Sequence, residues 1–280
     1  MANDELWFSN PLYMNDMEEL RFGVLEGAQA FRQHEAIKSA CGDQKRYDLL
    51  YSHFENYLSK FSNEHAFDTY VFCLAEHDFD NDADGLLSMW RGYGGNGNGA
   101  AIIFDTTKIE HIEGAPLIFS KVTYASRDER LQWIDKKLEE LAELLRINSI
   151  PDEKLYLPAH ALFERIKIFS IFTKHRGFSE EREWRAVYLR ERDSAHKMDD
   201  MLHYAIGRNG IEPKFKFKIK PINGLTKEEL SLVRIVHQII LGPSVSSPLA
   251  VSSVRRMLEK VGKHELAEKV VASTTPFRAA

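Results

Sequence analysis

Runs of apolar residues, alternating in some places and spaced by three or four in others, divide the chain into predicted strands and helices. β-branched and aromatic runs predict strands at 6–9, 67–74, 100–104, 117–124, 186–189, 214–220, 235–241 and 269–273. Helical spacing predicts helices from about 17 to 39, after Asp43, and at 128–147, 152–172 and 248–261. We therefore expect one α+β domain over residues 1–280, with a mixed or antiparallel sheet flanked by helices and a helical insertion at about 125–172.

A glycine-rich segment follows a short helical turn that carries Trp90, Arg91 and Tyr93. Five glycines and two asparagines lie between Arg91 and Ala100, and both residue types tolerate the positive φ angles of sharp turns. One interpretation is a cradle in which a guanidinium and aromatic rings bind an anionic, ring-bearing ligand. The other is a tight connection whose aromatic residues fill the core, and the local sequence leaves both open. The spacing is not that of a dinucleotide fingerprint or a phosphate loop.

A second candidate site lies at Glu181-Arg182-Glu183-Trp184-Arg185. In an extended chain Glu181, Glu183 and Arg185 lie on one face and Trp184 on the other. Apolar positions 187 and 189 continue the charged face, which places the charges at a core boundary, whereas Trp184 is expected to be buried. Charges at such a boundary need partners. They form either a functional site or a structural ion-pair cluster.

Three further patterns indicate no specific chemistry. Asp78, Asp80, Asp82 and Asp84 alternate, but the glycine and closing glutamate of a calcium loop are missing from their positions, and a solvated loop is favoured. The eleven histidines show no paired zinc spacing, so no metal site is expected. The alternating lysines of 214–220 are typical of a half-buried strand guarded against edge pairing, with nucleic-acid binding as the weaker alternative.

Composition narrows the class of protein. A formal net charge of −5 argues against a general nucleic-acid binder or a membrane-surface protein. The two cysteines, Cys41 and Cys73, form neither a disulfide framework nor a metal knuckle. Because no stretch approaches the ~18 apolar residues of a membrane span and no apolar leader precedes the first strand, we expect a cytoplasmic protein without membrane partners.

Several blocks together resemble the bacterial domain of unknown function 2971 family. They are Leu6-Trp7-Phe8-Ser9, Asn15-Asp16-Met17-Glu18, Met89-Trp90-Arg91-Gly92-Tyr93, Gly99 to Asp105, Lys174, Phe178, Glu181 to Arg185, Ile240-Leu241-Gly242-Pro243 and Pro276-Phe277-Arg278. Members usually carry a further aromatic-rich strand upstream of the first block. Any ligand contacts made by that strand are expected to be missing here.

The layout is also similar, more distantly, to ADP-ribosyltransferase-like folds. That resemblance implies that Glu183 is the catalytic carboxylate and Glu181 its helper, that Arg91 holds phosphate, and that Trp90 or Tyr93 stacks on a ring. The ligand-binding candidates completing this site are Arg185, Lys174, Asn15 and Asp16. The turn at Trp90 and the Glu183 face are then expected to border one pocket.

Two functional hypotheses follow. The first is an NAD-consuming transferase or glycohydrolase, acting as an effector in toxin or phage defence, with NAD as substrate and no certain cofactor. The second is a non-catalytic nucleotide-sensing or protein-interaction module that uses the same cleft. Both imply a nucleotide-like small-molecule ligand, and the sequence leaves open the protein or nucleic-acid acceptor and the oligomeric state.

Overall fold

The computed structural model of the protein describes residues 3–14, 17–109, 115–207 and 210–276, without the side chains of 17–22. The helices are α1 (Met17–Gln33), α2 (Glu35–Cys41), α3 (Gln44–Lys60), α4 (Leu87–Gly92), α5 (Arg127–Ile147), α6 (Tyr156–Ile171), α7 (Leu232–Ile235), α8 (Pro248–Lys260) and α9 (His264–Glu268). The strands are β1 (Glu5–Ser9), β2 (Thr69–Ala75), β3 (Ala100–Phe104), β4 (Leu117–Lys121), β5 (Thr123–Ala125), β6 (Thr173–His175), β7 (Glu183–Leu189), β8 (Leu202–Gly207), β9 (Gly210–Lys218), β10 (Val236–Leu241) and β11 (Val270–Ala272).

Each of two compact units is assembled from separate segments of the chain. The first comprises Met1–Trp7, Ala75–Pro116 and Lys216–Ala280, and the second comprises Phe8–Leu74 and Leu117–Phe215. In the first unit β10 lies between β3, to which it is antiparallel, and β11, to which it is parallel. The predicted α+β class is confirmed, and the single domain over 1–280 stays a prediction.

The largest sheet has six strands in the order β4-β7-β2-β1-β9-β8. The pairs β4 with β7, β1 with β2, and β8 with β9 are antiparallel. The single strand predicted at 117–124 is divided, because β4 joins this sheet whereas β5 pairs in parallel with β6. The lysine-rich strand β9 is an interior strand, so the interpretation of its lysines as an edge guard is wrong. The edge strands are β4 and β8, and β8 was not predicted from the sequence pattern.

Helices cover one face of the second unit's strands. The core contains buried residues of α2, α3, α5 and α6 together with Val71, Val187 and Leu189 of the sheet. Helices α1 and α6 pack closely at Gly23, where an added Cβ would lie 2.0 Å from the Ser170 hydroxyl. The predicted helical insertion is confirmed as α5 and α6, which share one core with α2 and α3.

Strand β7 divides its side chains between two environments. Val187 and Leu189 are buried in the helical core. On the other face Tyr188 is fully buried and stacks on Phe215 at 4.2 Å between ring centroids. Trp184 lies on that second face but is only partly buried, stacked on Phe119 at 5.2 Å. The expected burial of Trp184 is therefore wrong, because it lies at the end of β7 opposite Lys121 of β4, beyond the apolar residues that cover Tyr188.

Trp184→Ala should consequently lower the free energy of unfolding by only about 1–2 kcal/mol. This is below the ~3–5 kcal/mol typical of a fully buried aromatic residue, because the exposed part of the ring leaves no closed cavity. Urea unfolding of the variant, followed by circular dichroism, measures the difference. A loss as large as that of a core aromatic would show that Trp184 packs more tightly than its partial exposure indicates.

Candidate functional site

The charged residues of the Glu181–Arg185 block converge on one lysine of the second unit. Lys174 lies on the short strand β6, opposite Tyr124 of β5, and is 3% exposed. Its Nζ donates to Glu181 Oε2 at 2.7 Å and to Glu183 Oε2 at 3.1 Å. We call Lys174, Glu181, Glu183 and Arg185 the Glu183 cluster.

Arg185 holds the Glu183 carboxylate from the other side. Its Nε donates to Glu183 Oε1 at 2.7 Å, and its Nη2 lies 3.4 Å from Glu183 Oε2. Its Nη1 donates to the Ile171 carbonyl at 2.6 Å, so the guanidinium is fixed to the end of α6. Glu183 and Arg185 are 4% and 5% exposed. The prediction that the charged face of β7 lies at a core boundary is confirmed by this burial.

Glu181 reaches the same lysine by a different backbone route from the one expected. It ends a 3-10 helix (Arg176–Glu181), and Arg182 follows with φ 44°, in the left-handed region. The strand begins only at Glu183. The expectation of an extended chain from 181 to 185 is wrong, yet the turn at Arg182 still directs both carboxylates to Lys174. A non-glycine residue in this conformation is uncommon and is found where the surrounding structure holds it.

Two residues that the sequence analysis did not select also contact Glu183. The thiol of Cys73, an exposed residue of β2, donates a hydrogen bond to its carboxylate. The Tyr124 hydroxyl accepts a hydrogen bond from the Glu183 backbone N–H at 2.8 Å. Cys73 lies two positions after buried Val71 in the strand, so the alternation of side chains along β2 indicates that both face the helix-covered side of the sheet. Nothing in the sequence pattern paired Tyr124 with Glu183.

The electrostatics of the cluster keep Glu183 ionised. Burial raises its pKa, but the hydrogen bonds and charge of Arg185, the Cys73 thiol and the charge of Lys174 outweigh burial and hold the pKa below the ordinary 4.5. The pKa of Tyr124 is raised, first by burial and then by the nearby glutamate charges. At neutral pH the site therefore presents a fixed Glu183 carboxylate beside the protonated phenol of Tyr124.

The cluster meets solvent along one side. The Glu181 side chain is 18% exposed, and Phe178, whose ring lies 4.8 Å from Lys174 Nζ, is 48% exposed. Glu181 and Phe178 thus provide carboxylate oxygens and an aromatic face. Carboxylates accept hydrogen bonds from sugar hydroxyls, and an aromatic face stacks on a planar ring. This side of the cluster has the chemistry for a ribose-bearing ligand.

The glycine-rich candidate belongs to the first unit. Trp90 is 4% exposed, packs on Ile103 and Ile240, and donates its indole N–H to the Asp84 carbonyl at 2.9 Å. Tyr93 is 69% exposed. Trp90 thus fills a core, as the second interpretation of this segment expects, whereas Tyr93 does not. The ligand-binding roles of Trp90, Arg91 and Tyr93, and one pocket shared with Glu183, stay predictions. Asn15, Asp16, Phe277 and Arg278 lie outside the described residues.

The glycine-rich loop packs against the turn that follows β10. Gly242 N–H donates to the Gly99 carbonyl at 2.8 Å, and Ser244 N–H donates to the Gly97 carbonyl at 3.0 Å. A Cβ added to Gly242 would lie 2.4 Å from the Gly97 carbonyl oxygen. The absence of a side chain at Gly242 therefore allows two loops to bind each other through their backbones.

Gly242→Ala should lower the free energy of unfolding by about 1–3 kcal/mol, the usual range for forcing an extra carbon into a packed site. Gly92→Ala is the matched control, because its added Cβ meets nothing within 4 Å and it lies in α4. Alanine there should be neutral or stabilising by up to ~1 kcal/mol. Differential scanning calorimetry of both variants tests this. Equal melting temperatures would show that the two loops separate at no cost.

The aspartates of the 78–84 loop accept hydrogen bonds from backbone N–H groups of the first unit. Asp82 Oδ1 accepts from Asp78 N–H at 2.7 Å, and Asp84 accepts from Thr274 N–H at 3.0 Å. Within the described ranges no three His, Cys, Asp or Glu residues are grouped so that they could hold a metal ion. The loop acts as a local scaffold for the first unit.

The match to a family model begins and ends at the two blocks selected from the sequence. Residues 89–186 match the family described as protein of unknown function (DUF2971). The predicted resemblance is confirmed over this range. The DUF2971 match begins in α4 and ends in β7, so it includes Trp90, Arg91, Tyr93 and all of the Glu183 cluster, whereas Cys73 precedes it.

No curated protein and no solved structure matches the chain. The more distant resemblance to ADP-ribosyltransferase-like folds stays a prediction. None of the described helices combines the length and the apolar character needed to cross a membrane.

Proposed function

We propose that this protein binds a nucleotide-like ligand at the Glu183 cluster and consumes NAD, as an ADP-ribosyltransferase-like enzyme or a glycohydrolase. The observation that supports the proposal is the Glu183 carboxylate, which is ionised and held in one position by Arg185 and Lys174. A fixed anion of this kind is what a reaction that develops positive charge on a sugar requires.

The reaction breaks the bond between the anomeric carbon of the ribose and the nicotinamide nitrogen. Both bonding electrons leave with nicotinamide, which becomes neutral, and positive charge develops on the sugar. The Glu183 charge stabilises that sugar, and Glu181 accepts a hydrogen bond from a ribose hydroxyl. Water then adds to the anomeric carbon and releases a proton to Glu181 or solvent, or an acceptor group adds in its place. Phe178 stacks on a ring of the ligand.

The roles of Arg91 in binding phosphate and of Trp90 or Tyr93 in stacking on a ring are implied by the ADP-ribosyltransferase-like resemblance alone, and they form a separate proposal for the first unit. A reaction that depletes NAD suits an effector in toxin or phage defence, acting in the cytoplasm.

A second candidate function is non-catalytic sensing of a nucleotide-like ligand. It is favoured by a specific observation, since both oxygens of Glu183 already accept hydrogen bonds from cations. Opposite charges ~4 Å apart interact by about 4 kcal/mol at an effective dielectric constant of 20, so these cations offset part of the field that Glu183 exerts on a sugar. The same cations hold the site rigid enough for binding.

Incubating the purified protein with NAD and measuring free nicotinamide by chromatography tests the enzyme. Release that depends on protein concentration supports it. No release, with or without candidate acceptor proteins and nucleic acids, rejects it. A thermal shift with NAD separates the two functions, because a ligand at ~100 times its Kd stabilises the folded state by about 2.7 kcal/mol. A thermal shift without nicotinamide release supports the sensor. The absence of both signals rejects NAD as the ligand for both functions.

A further inference from the structure

Strand β8 ends the six-stranded sheet, and in the part of the chain that the structure describes no strand pairs with its outer edge. Its register with β9 runs without a bulge from Leu202 opposite Phe215 to Gly207 opposite Gly210. Its sequence, Leu-His-Tyr-Ala-Ile-Gly, contains no lysine, no acidic residue and no proline. Exposed edge strands in monomeric proteins usually carry one of these protections or a bulge. This edge has none of them.

The position of Pro213 shows which backbone groups of β8 face outward. Pro213 lies opposite Tyr204 and has no N–H, so this pair is of the non-hydrogen-bonded type. The types alternate along an antiparallel ladder, so the pair of Ile206 with Ile211 is of the same type. The N–H and C=O groups of Tyr204 and Ile206 therefore point away from β9, towards the free edge.

The side chains at this edge are apolar and exposed. Tyr204 is 74% exposed, Ile206 is 92% exposed, and Ile211, opposite Ile206 on β9, is 69% exposed. By strand parity all three lie on the same face of the hairpin. They extend the apolar row that begins at buried Phe215, opposite Leu202. An apolar row with unpaired backbone groups beside it is a template for another strand.

We propose that β8 pairs antiparallel with β8 of a second copy of this chain, about a twofold axis through Ala205. In this register Tyr204 of each copy lies opposite Ile206 of the other, and the outward backbone groups of both residues form the ladder hydrogen bonds. An aromatic residue opposite a β-branched one is a favourable cross-strand pair. Ala205 meets its own counterpart in a non-hydrogen-bonded pair, and the two sheets become continuous.

Charge favours a second copy over a foreign strand. A strand that pairs antiparallel with itself brings equivalent residues together, and like charges directly opposite each other are destabilising. β8 contains no lysine, arginine, aspartate or glutamate, so self-pairing meets no such repulsion. A strand selected to bind a charged partner would carry complementary charge on this edge.

The area available indicates a weak dimer. Side chains of this size bury roughly 150–250 Å² each, so the two exposed ones on the pairing strand, Tyr204 and Ile206, offer roughly 300–500 Å² per copy. The total of roughly 600–1,000 Å² is below the ~1,200–2,000 Å² of stable interfaces, before the strand backbones are added. Association should therefore depend on concentration over the micromolar range.

Sedimentation velocity of the full chain at increasing concentration tests the proposal. The wild type should form dimers, whereas Ile206→Pro, which removes an outward N–H without breaking the ladder to β9, should stay monomeric. Ile211→Lys is the matched control, since it removes an exposed isoleucine of the same face that is not on the pairing strand, and it should still dimerise. Circular dichroism checks the folds, and Ile206→Lys replaces the proline variant if that one unfolds. A wild type that is monomeric throughout, or an equal loss in both isoleucine variants, overturns edge pairing.

A disulfide tests the register independently. In non-hydrogen-bonded antiparallel pairs the Cα atoms lie about 4.5 Å apart, within the ~4.4–6.8 Å that a disulfide spans. In a Cys73→Ser background, where the other cysteine, Cys41, is buried, Ala205→Cys should give a covalent dimer on mild oxidation. His203→Cys should not, because in this register the two introduced cysteines, one in each copy, lie four positions apart along the strands. No cross-link at 205, or equal cross-linking at both positions, rejects the proposed register.

Discussion

Glu183→Gln should lower the rate of nicotinamide release by at least ~100-fold, the scale seen when one preorganised electrostatic group is removed from an active site. The amide has nearly the shape of the carboxylate, but it has one accepting oxygen where the carboxylate has two, so it keeps the hydrogen bond from Arg185 or the one from Lys174 and not both. It lacks the negative charge that stabilises the sugar cation. The turnover number should therefore fall more than the Michaelis constant changes, as measured by initial rates over a range of NAD concentrations.

Glu191→Gln is the matched control for that experiment. Glu191 also accepts a hydrogen bond from a buried lysine, Lys167, at 2.9 Å. Its side chain is 18% exposed, as is the side chain of Glu181. It follows the far end of β7, about 20 Å along the strand from Glu183. Its turnover should stay within about twofold of the wild type, since the field falls with distance. If Glu183→Gln left the rate unchanged while release persisted, the catalytic carboxylate would be another residue.

Arg185→Met should lower the free energy of unfolding by about 3–5 kcal/mol, because removing one partner of a buried ion pair leaves an insufficiently compensated charge. The variant keeps the apolar stem but loses three hydrogen bonds, including the one to the Ile171 carbonyl. Arg165→Met is the control. Arg165 forms a surface pair with Glu140 at 3.2 Å and is 60% exposed, so its loss should cost less than ~1 kcal/mol. Urea unfolding at neutral pH measures both.

The pH dependence identifies the buried charge as the cause. The folded-state pKa of Glu183 is lowered, so its stabilising contribution is present above the ordinary value of 4.5 and is lost as the pH falls through the folded-state pKa. Without Arg185 the carboxylate protonates more readily, which relieves the penalty in acid. The difference between wild type and Arg185→Met should therefore be largest at neutral pH and shrink below about pH 4.5. A difference that is constant with pH would assign the loss to packing.

The sequence by itself determined most elements and the character of β7. Helical and alternating periods depend on local geometry, so α3, α5, α6, α8 and most strands were predictable from the spacing of apolar residues. The alternation along β7 also placed Glu183 and Arg185 on the same face as buried positions, which required partners for both charges. That requirement made the cluster recognisable before any partner was known.

Only the tertiary structure decided which groups meet. Lys174 and Tyr124 reach Glu183 because β5 and β6 pair in parallel, and Cys73 does so because β2 lies beside β7. Such pairings join residues far apart in the chain and depend on which strands share a sheet, which local periodicity does not encode. The tertiary structure also decided the edge position of β8 and the partial exposure of Trp184. Each of these depends on which strands lie next to the residue's own strand and on where those neighbouring strands end.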